Sequence, residues 1–456
     1  MSPISQKTRS NPVSAAMRPV NSLVERFIPS ALVFAIVLTV VVAIMALVLT
    51  SSSPVEVVQG WGDGLSGLLS FMTQMALILL LGHTLANTRP VRRLLSFLGG
   101  VPRGPIQAYV FVFVVAAAAS LLTWGLGLVV GALLAKEVAA QLRAKGIRLH
   151  FPMLVAAAFS GFVVWHMGYS GSGPLTAATE GSFLAEQIGR TIPVSETTFS
   201  LWNILAAIAT VIVVGAALSL VAPRGDDKIV ELEIDARDGE ADYDDEVVTP
   251  ADRLDASRIL TLLVGLALVS YLAIHFGTGG TLTLDIVNWS FLALIFLLVR
   301  NPFELIALIK NAASNVGDIL LQFPLYAGIM GIMTATGLIT VLSDFFVDIS
   351  TPQTFGVLAL LSAGLVNFFV PSGGGQFAVQ GPIMLDAAAR LDVDPAVAIM
   401  AVSYGDQWTN MIQPFWALPL LAIAGLKMRD ILGYTMVTLI ASGLVFAATM
   451  LIVGAG

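Results

Sequence analysis

Apolar residues run through this chain in blocks of about 15 to 25, the length that a helix rising 1.5 Å per residue needs to cross a hydrocarbon core. The first block, Ile28 to about Thr50, is too long for the core of a secretory signal and lacks a clear cleavage site, so it is expected to stay as the first membrane helix. Two later blocks are interrupted. Ile106 to Ala140 carries Thr123-Trp124-Gly125-Leu126-Gly127, and Phe355 to Ala389 carries Pro371-Ser372-Gly373-Gly374-Gly375; each predicts a helix-turn-helix hairpin. Two further blocks predict helices broken inside the membrane, one at Trp165 to Pro174 (WHMGYSGSGP) and one at Gly405 to Pro414 (GDQWTNMIQP). In each half of the chain an interrupted hairpin leads, after about 40 residues, to an interrupted helix, a repeat in pattern more than in identity.

Composition places these blocks in a bilayer. Of 456 residues 57% are hydrophobic and only 12% charged, about half the charged fraction of a soluble domain, so the chain reads as an all-α integral membrane protein. The lack of cysteine excludes disulfides and thiolate metal sites, and nothing points to a nucleic-acid partner. The net charge of -7 is unevenly spread: Gly225 to Val248 holds 11 acidic residues against Lys228 and Arg237, a local -9 that leaves +2 elsewhere. Such a stretch is too charged to cross a bilayer and reads as a solvated linker between two membrane halves.

Basic residues set orientation. They concentrate in the N-terminal segment, from Arg89 to Arg103, from Arg143 to Arg148, at Arg300 with Lys310 and at Lys427 with Arg429, sides expected to be cytoplasmic. The loops around Trp61, Glu180 to Thr198, Gly277 to Asp285 and Ser343 to Gln353 hold almost none and are expected outside, as is the C-terminus. The two hairpins then enter from opposite sides, which makes the fold an inverted repeat with two opposed re-entrant hairpins and two broken transmembrane helices. The expected organisation is a cytoplasmic segment over 1–27, a first transmembrane repeat over 28–222 with inner hairpin 106–140, an acidic cytoplasmic linker over 223–257, and a linking helix with a second repeat over 258–456 that contains outer hairpin 355–389. Residues 301–317 are expected to lie as an interfacial arm.

Backbone that leaves a helix inside hydrocarbon exposes N–H and C=O groups, at several kcal/mol each unless protein, water or ligand meets them. Secondary transporters give four such breaks a common use: half-helix N-termini face an anion, while unwound carbonyls and hydroxyls hold a co-transported cation. Substrate would sit near the midplane between the hairpin tips, with Ser372, Gly373, Gly374 and Gln376 on one side and Trp124, Gly125 and Gly127 on the other. Asp406, in the middle of an apolar run, is the expected coupling acid, a Na+ ligand when ionised or a proton carrier when neutral. His166 holds the comparable place in the first half, and Ser170, Ser172, Thr409 and Asn410 would complete the polar contacts and the cation site. No catalytic residue and no cofactor beyond Na+ or H+ is expected.

Trp124, Trp165, Trp408, Phe415 and Trp416 cluster at the breaks and would wall a small apolar pocket. Plainer readings stand beside these: Asp406 as a helix cap, His166 as a packed core histidine, the tryptophans as interfacial belt residues. Few Arg or Lys fall in the predicted core, which leaves no bidentate clamp for a dicarboxylate or phosphate, so a substrate of low charge is expected.

At Asn367 to Pro382 (NFFVPSGGGQFAVQGP) and Tyr404 to Pro419 (YGDQWTNMIQPFWALP) the chain resembles the short-chain fatty acid transporter family, permeases linked to acetoacetate and butyrate uptake. Glu25 to Pro29, Trp124 to Gly127 and His166 to Ser172 carry the resemblance across most of the chain except the acidic linker. It implies a secondary transporter of short monocarboxylates in the cytoplasmic membrane, within the ion transporter superfamily of two-hairpin permeases. It also implies a homodimer with elevator-type movement of the hairpin-bearing domain. Alternating-access symport with H+ or Na+ is the leading expectation, with a dicarboxylate carrier of the same superfamily as the closer rival. An intramembrane protease is the other: Gly168-Tyr169-Ser170-Gly171 matches the Gly-x-Ser-Gly of rhomboid-type enzymes, and Tyr404-Gly405-Asp406 partly matches the Gly-x-Gly-Asp of aspartyl ones. The first lacks an Ala-His-x-x-Gly partner and the second has Ser403 where glycine is required.

Overall fold

The computed structural model describes residues 31–223, 229–232, 249–313, 316–367, 370 and 372–454, and all regular structure among them is helical. The N-terminal segment, most of the acidic linker, Pro371 and the Phe415 side chain lie outside the described residues, and so do the expectations placed on them. The first half runs through α1 (Ala31–Leu49), α2 (Pro54–Gly64), α3 (Leu69–Ala86) and α4 (Arg89–Gly99) to a hairpin of α5 (Pro105–Leu122) and α6 (Trp124–Ala144). A broken helix follows, made of α7 (Phe151–Ser160), a 3-10 segment Gly161–Met167 and α8 (Ser172–Ala178), and then α9 (Leu201–Val221).

Past the linker, α10 (Arg258–Gly277), α11 (Leu284–Leu298) and α12 (Pro302–Ala313) lead to α13 (Gly317–Ala335) and α14 (Leu338–Ile349). Next come a hairpin of α15 (Pro352–Val366) and α16 (Gly373–Arg390), a broken helix of α17 (Pro395–Thr409), a 3-10 segment Asn410–Ile412 and α18 (Pro414–Ala424), and finally α19 (Met428–Gly454). The order of span, short arm, hairpin, broken helix and span thus occurs twice, from α3 to α9 and from α13 to α19. Among the described residues seven helical segments are long and apolar enough to cross a membrane, or eight if α13 and α14, bent by 80° at their junction, count as one. Valine and leucine side chains of α1 and α10 such as Val40, Val48, Leu263 and Leu266 are exposed, as lipid-facing side chains must be.

Local sequence sets the turns. Proline opens α5, α7, α15, α17 and α18 in the first helical turn, where its missing N–H would have had no intrahelical acceptor. An extended hydroxyl residue stands just before the second limb of each hairpin: Thr123 at φ -156°, ψ 140° and Ser372 at φ -154°, ψ 114°. In the first hairpin the limbs close tightly because position 127 is glycine, where a Cβ would lie 2.0 Å from Ser120 Oγ.

Several stretches that the charge pattern reads as loops are helices. Trp61 lies in α2 and packs on α13, where a Cβ at Gly328 would come within 2.6 Å of its ring. The basic stretch after α3 forms the arm α4, and the stretch from Ser343 to Gln353 is largely the arm α14. The arm expected at 301–317 is α12. The linker is not solvated throughout: Val230 and Leu232 accept hydrogen bonds from the Phe151 amide at 2.8 Å and Arg143 Nη1 at 2.8 Å, which docks this part of it where α6 and α7 meet.

Both arms hold the second limb of their own hairpin. Ser96 Oγ of α4 donates to Glu137 Oε1 at 3.1 Å, and Ser343 Oγ of α14 donates to Asp386 Oδ2 while accepting from Arg390 Nη1 at 3.1 Å. Glu137 and Asp386 each stand 13 residues beyond the start of their limb, so each clasp lies about 20 Å from its tip. Between the halves, Glu304 of α12 is 1% exposed, pairs with Arg89 Nε of α4 at 3.3 Å and accepts the Arg300 amide at 2.6 Å. Glu304→Gln keeps the shape and removes the charge that Arg89 faces, so it is expected to cost about 2 kcal/mol, read as a lower melting temperature of the purified protein. An unchanged melting temperature would show that this junction does not hold the halves together.

Candidate functional site

The four breaks meet at one crossing. The first hairpin brings Trp124 to it, with ring centroids 6.3 Å from Trp165 of the 3-10 segment and 5.5 Å from Trp416 of α18. The second hairpin brings Gly373, where a Cβ would lie 2.5 Å from Trp165 and 2.6 Å from His166 Nε2. The next two glycines of this tip meet rings as well, Gly374 against Phe71 and Phe323 and Gly375 against Tyr326, so the Gly-Gly-Gly run lets the tip enter a cup of aromatics. The two broken helices touch directly: the His166 amide donates to Gln407 Oε1 at 3.0 Å, and His166 Nε2 is 3.9 Å from Asp406 Oδ1.

Asp406 and His166 are both fully buried. Asp406 Oδ1 accepts a 3.3 Å hydrogen bond from Asn410 Nδ2, while Oδ2 and both His166 ring nitrogens have no hydrogen-bond partner. Asp406 therefore does not cap its helix, since no backbone N–H among the described bonds reaches its carboxylate. The helix does not need that cap, because α17 continues through Gly405, Asp406, Gln407 and Trp408 to Thr409 and unwinds only from Asn410 to Gln413, later than the sequence pattern places the break.

Asn367, at the end of α15, organises this side: its Nδ2 donates to Thr409 Oγ1 at 2.9 Å, Asn410 Oδ1 at 2.7 Å and the Asp406 carbonyl at 3.0 Å. Its Oδ1 is left without a partner, as is Gln376 Oε1, whose Nε2 donates to the Ala363 carbonyl at 2.8 Å. A carboxylate oxygen and two amide carbonyl oxygens around the end of α15 form a donor set suited to a hard monovalent cation such as Na+, and Asp406 could equally carry a proton. Among the described residues no group of three or more His, Cys, Asp or Glu gathers for a heavier metal.

The other expected residues divide. Ser170 Oγ accepts the Trp124 amide at 3.3 Å and so ties the first tip to the first break, and among the described residues no histidine hydrogen-bonds it, against the serine protease reading. Ser172 is fully buried with a free hydroxyl. Gly125 has only loose neighbours, the nearest 3.7 Å from a built Cβ, and Gly127 serves the hairpin closure described above. Ser372 Oγ accepts the Gly375 amide at 3.2 Å, so this tip caps itself in part, and the anion cradle expected there is narrowed by its own hydroxyl and by the rings on its glycines.

Trp408 stands apart from the crossing: its Nε1 donates to the Leu439 carbonyl at 2.7 Å and its ring fills the space over Gly364 and Gly443, which makes it an anchor of α17 on α19 and α15. Lys136 of α6 is one of the few basic residues in the core, 6% exposed and about 18 Å along α6 from Trp124.

Three contributors escape the sequence pattern: Asn367, Gln407, and Phe377 of α16, which stacks on His166 at 6.0 Å and covers Gly173. For Asn367 a signal existed, an amide at the end of an apolar limb just before the tip. An open groove of about 470 Å³ between α2 and α13, lined among others by Glu56, Gln59, Asp63 and Thr334, includes none of the four breaks.

The chain was compared with known proteins. The family model for short chain fatty acid transporters matches residues 13–453. A protein of Escherichia coli strain K12 that carries the provisional name short-chain fatty acid transporter is 41% identical over 93% of this chain and 96% of its own length. A protein of Haemophilus influenzae with the same provisional name is 38% identical over 97% and 99%. Among solved structures, the YdaH transporter of Alcanivorax borkumensis aligns over 92% of this chain and 98% of its own, with a TM-score of 0.56 and 16% identity. MtrF of Neisseria gonorrhoeae, described with a class of antimetabolite efflux pumps, aligns over 94% and 96% with a TM-score of 0.58 and 16% identity, and these two likenesses speak to the fold alone. With a family match over nearly its whole length and two full-length relatives near 40% identity, this multi-pass membrane protein belongs to the short-chain fatty acid transporter family, a family of transporters and not of enzymes.

Proposed function

We propose that the chain moves short-chain monocarboxylates of the acetoacetate and butyrate kind across the cytoplasmic membrane by cation-coupled symport with alternating access. The observation that carries this reading is the fully buried Asp406, with one carboxylate oxygen lacking any protein partner, at the point where all four breaks meet. A charge left so in the membrane interior is costly and needs a counter-ion or a proton to complete it. The residues at the crossing include no arginine or lysine, which favours a singly charged, small substrate that travels with its cation. The repeated element order supports a repeat, and the distribution of Lys and Arg supports its inversion, with hairpins that enter from opposite sides, the N-terminus inside and the C-terminus outside. A homodimer is part of the same reading.

Uptake of labelled butyrate into proteoliposomes, with a pH gradient and a Na+ gradient imposed separately, tests it. Accumulation driven by one of the two gradients is expected and names the ion. No accumulation with either, in folded and inserted protein, would rule the proposal out, and competition by succinate but not butyrate would replace it with dicarboxylate transport.

A further inference from the structure

Among the buried polar atoms without a protein partner at the crossing, the oxygens that can only accept and the Trp124 and Trp165 indole N–H groups that can only donate fall in different halves. The acceptor oxygens, Asp406 Oδ2, Asn367 Oδ1 and Gln376 Oε1, all come from the second half. The first half contributes Trp124 Nε1 and Trp165 Nε1, which can only donate, the hydroxyls of Ser120, Thr123 and Ser172, and the His166 ring, which when neutral offers one donor and one acceptor nitrogen. Gln407 Nε2 is a donor from the second half, held against the first by its own Oε1 bond to the His166 amide. Buried donors left unpaired cost free energy that a ligand can recover. Trp124 and Trp165 are 7% and 1% exposed, and their rings lie 6.3 Å apart, within the reach of one small ligand.

We propose that the indole N–H groups of Trp124 and Trp165 bind the carboxylate of the substrate, with Phe162 and Trp416 covering its alkyl chain. This rests on the transport reading above and moves the anion from the glycine tip of the second hairpin to the aromatic side of the crossing. Phe162 stacks on Trp165 at 5.6 Å with planes 9° apart, and Trp416 lies 5.4 Å from Phe162, so two apolar faces adjoin the two donors. The Cη2–Cζ2 edge of Trp165, with Cη2 nearest, faces Gly373, and the same glycine faces His166 Nε2, which is 3.9 Å from Asp406. The anion side and the acceptor side therefore adjoin. Two uncharged donors cannot by themselves offset the desolvation of a carboxylate in hydrocarbon, whereas a cation held on the neighbouring oxygens can, so anion and cation bind together or poorly. Arginine in place of the indoles would hold the anion alone and uncouple it.

The test replaces Trp124 or Trp165 with β-(3-benzothienyl)alanine, which keeps the ring shape and puts sulfur where the N–H stands. The readouts are KM and maximal rate for labelled butyrate uptake in proteoliposomes at pH 6 with Na+ present, together with the melting temperature. Loss of one charge-assisted hydrogen bond is expected to raise KM by about tenfold at each site, with melting unchanged. Trp165→Phe and Trp124→Phe, which also lose ring area, should raise KM at least as much and lower the melting temperature. A KM within about twofold of the unsubstituted protein in both sulfur variants overturns the assignment, as does a rise that only tracks a fall in melting temperature. Absence of butyrate uptake by the unsubstituted protein overturns the transport reading and this one with it, a result separate from uptake that ignores the indoles.

Discussion

Asp406→Asn is expected to lower gradient-driven butyrate accumulation by roughly 100-fold, the equivalent of losing one strong interaction with a charged group. The substitution is nearly isosteric, and the 3.3 Å bond from Asn410 Nδ2 can still find an oxygen at that position. What it removes is the charge, or the proton, that the coupling ion requires. The same change should leave the melting temperature equal or higher, because a fully buried carboxylate with a partnerless oxygen weakens the fold that carries it. The opposite pairing, near-normal uptake with a marked loss of stability, would make Asp406 a structural residue. Measuring accumulation and melting on the same preparation separates the two.

The second large effect is expected from Gly405→Ala. Alanine is favoured over glycine inside a helix by about 1 kcal/mol. At this position a Cβ would lie 2.3 Å from the Leu360 carbonyl oxygen, 2.5 Å from Ala363 Cβ and 2.8 Å from the Gly364 nitrogen, two backbone atoms and a Cβ that no rotamer change moves. α15 and α17 must separate, at a net cost of about 3 kcal/mol, and Asn367 is then drawn away from Thr409, Asn410 and the Asp406 carbonyl. Gly62→Ala supplies the contrast, since nothing lies within 4 Å of a Cβ there, and it should be neutral or slightly stabilising. Thermal unfolding of the two variants in one detergent checks both. Equal stability would mean that the close contact of α15 with α17 does not matter to the fold.

The hairpins and broken helices were legible because glycine, proline and polar residues inside an apolar run are a local signal, readable without knowing any partner. The arms α4 and α14 were harder to see. Their apolar and polar residues alternate at helical spacing over only 11 and 12 residues, and counting Lys and Arg for orientation reads straight over them. At the site, Asp406, His166 and the tips could be picked out one at a time, whereas the ring that each glycine faces depends on residues far away in sequence, as Gly373 does on Trp165. Trp408 shows a different difficulty. Read as part of an unwound stretch it belongs with Asp406, but in the continuous helix that forms, two residues are 200° of rotation, so Asp406 and Asn410 share a face and Trp408 points across to α19.

The bond from the His166 amide to Gln407 spans 241 residues, and this has a consequence for how the protein is made. At synthesis rates of roughly 5 to 20 residues per second, His166 waits on the order of 12 to 50 s in the bilayer before its acceptor exists. Through that interval the stretch Phe151–Ala178, 28 residues that include an 18-residue window of mean hydropathy 1.5, is apolar enough to rest as an ordinary span. The break is then completed late: Leu121 and Asn203 of the first half already meet the Tyr169 amide and the Met167 carbonyl, and the arrival of α17 supplies Gln407 for the His166 amide, the last of these partners for an unwound backbone in the middle of a membrane.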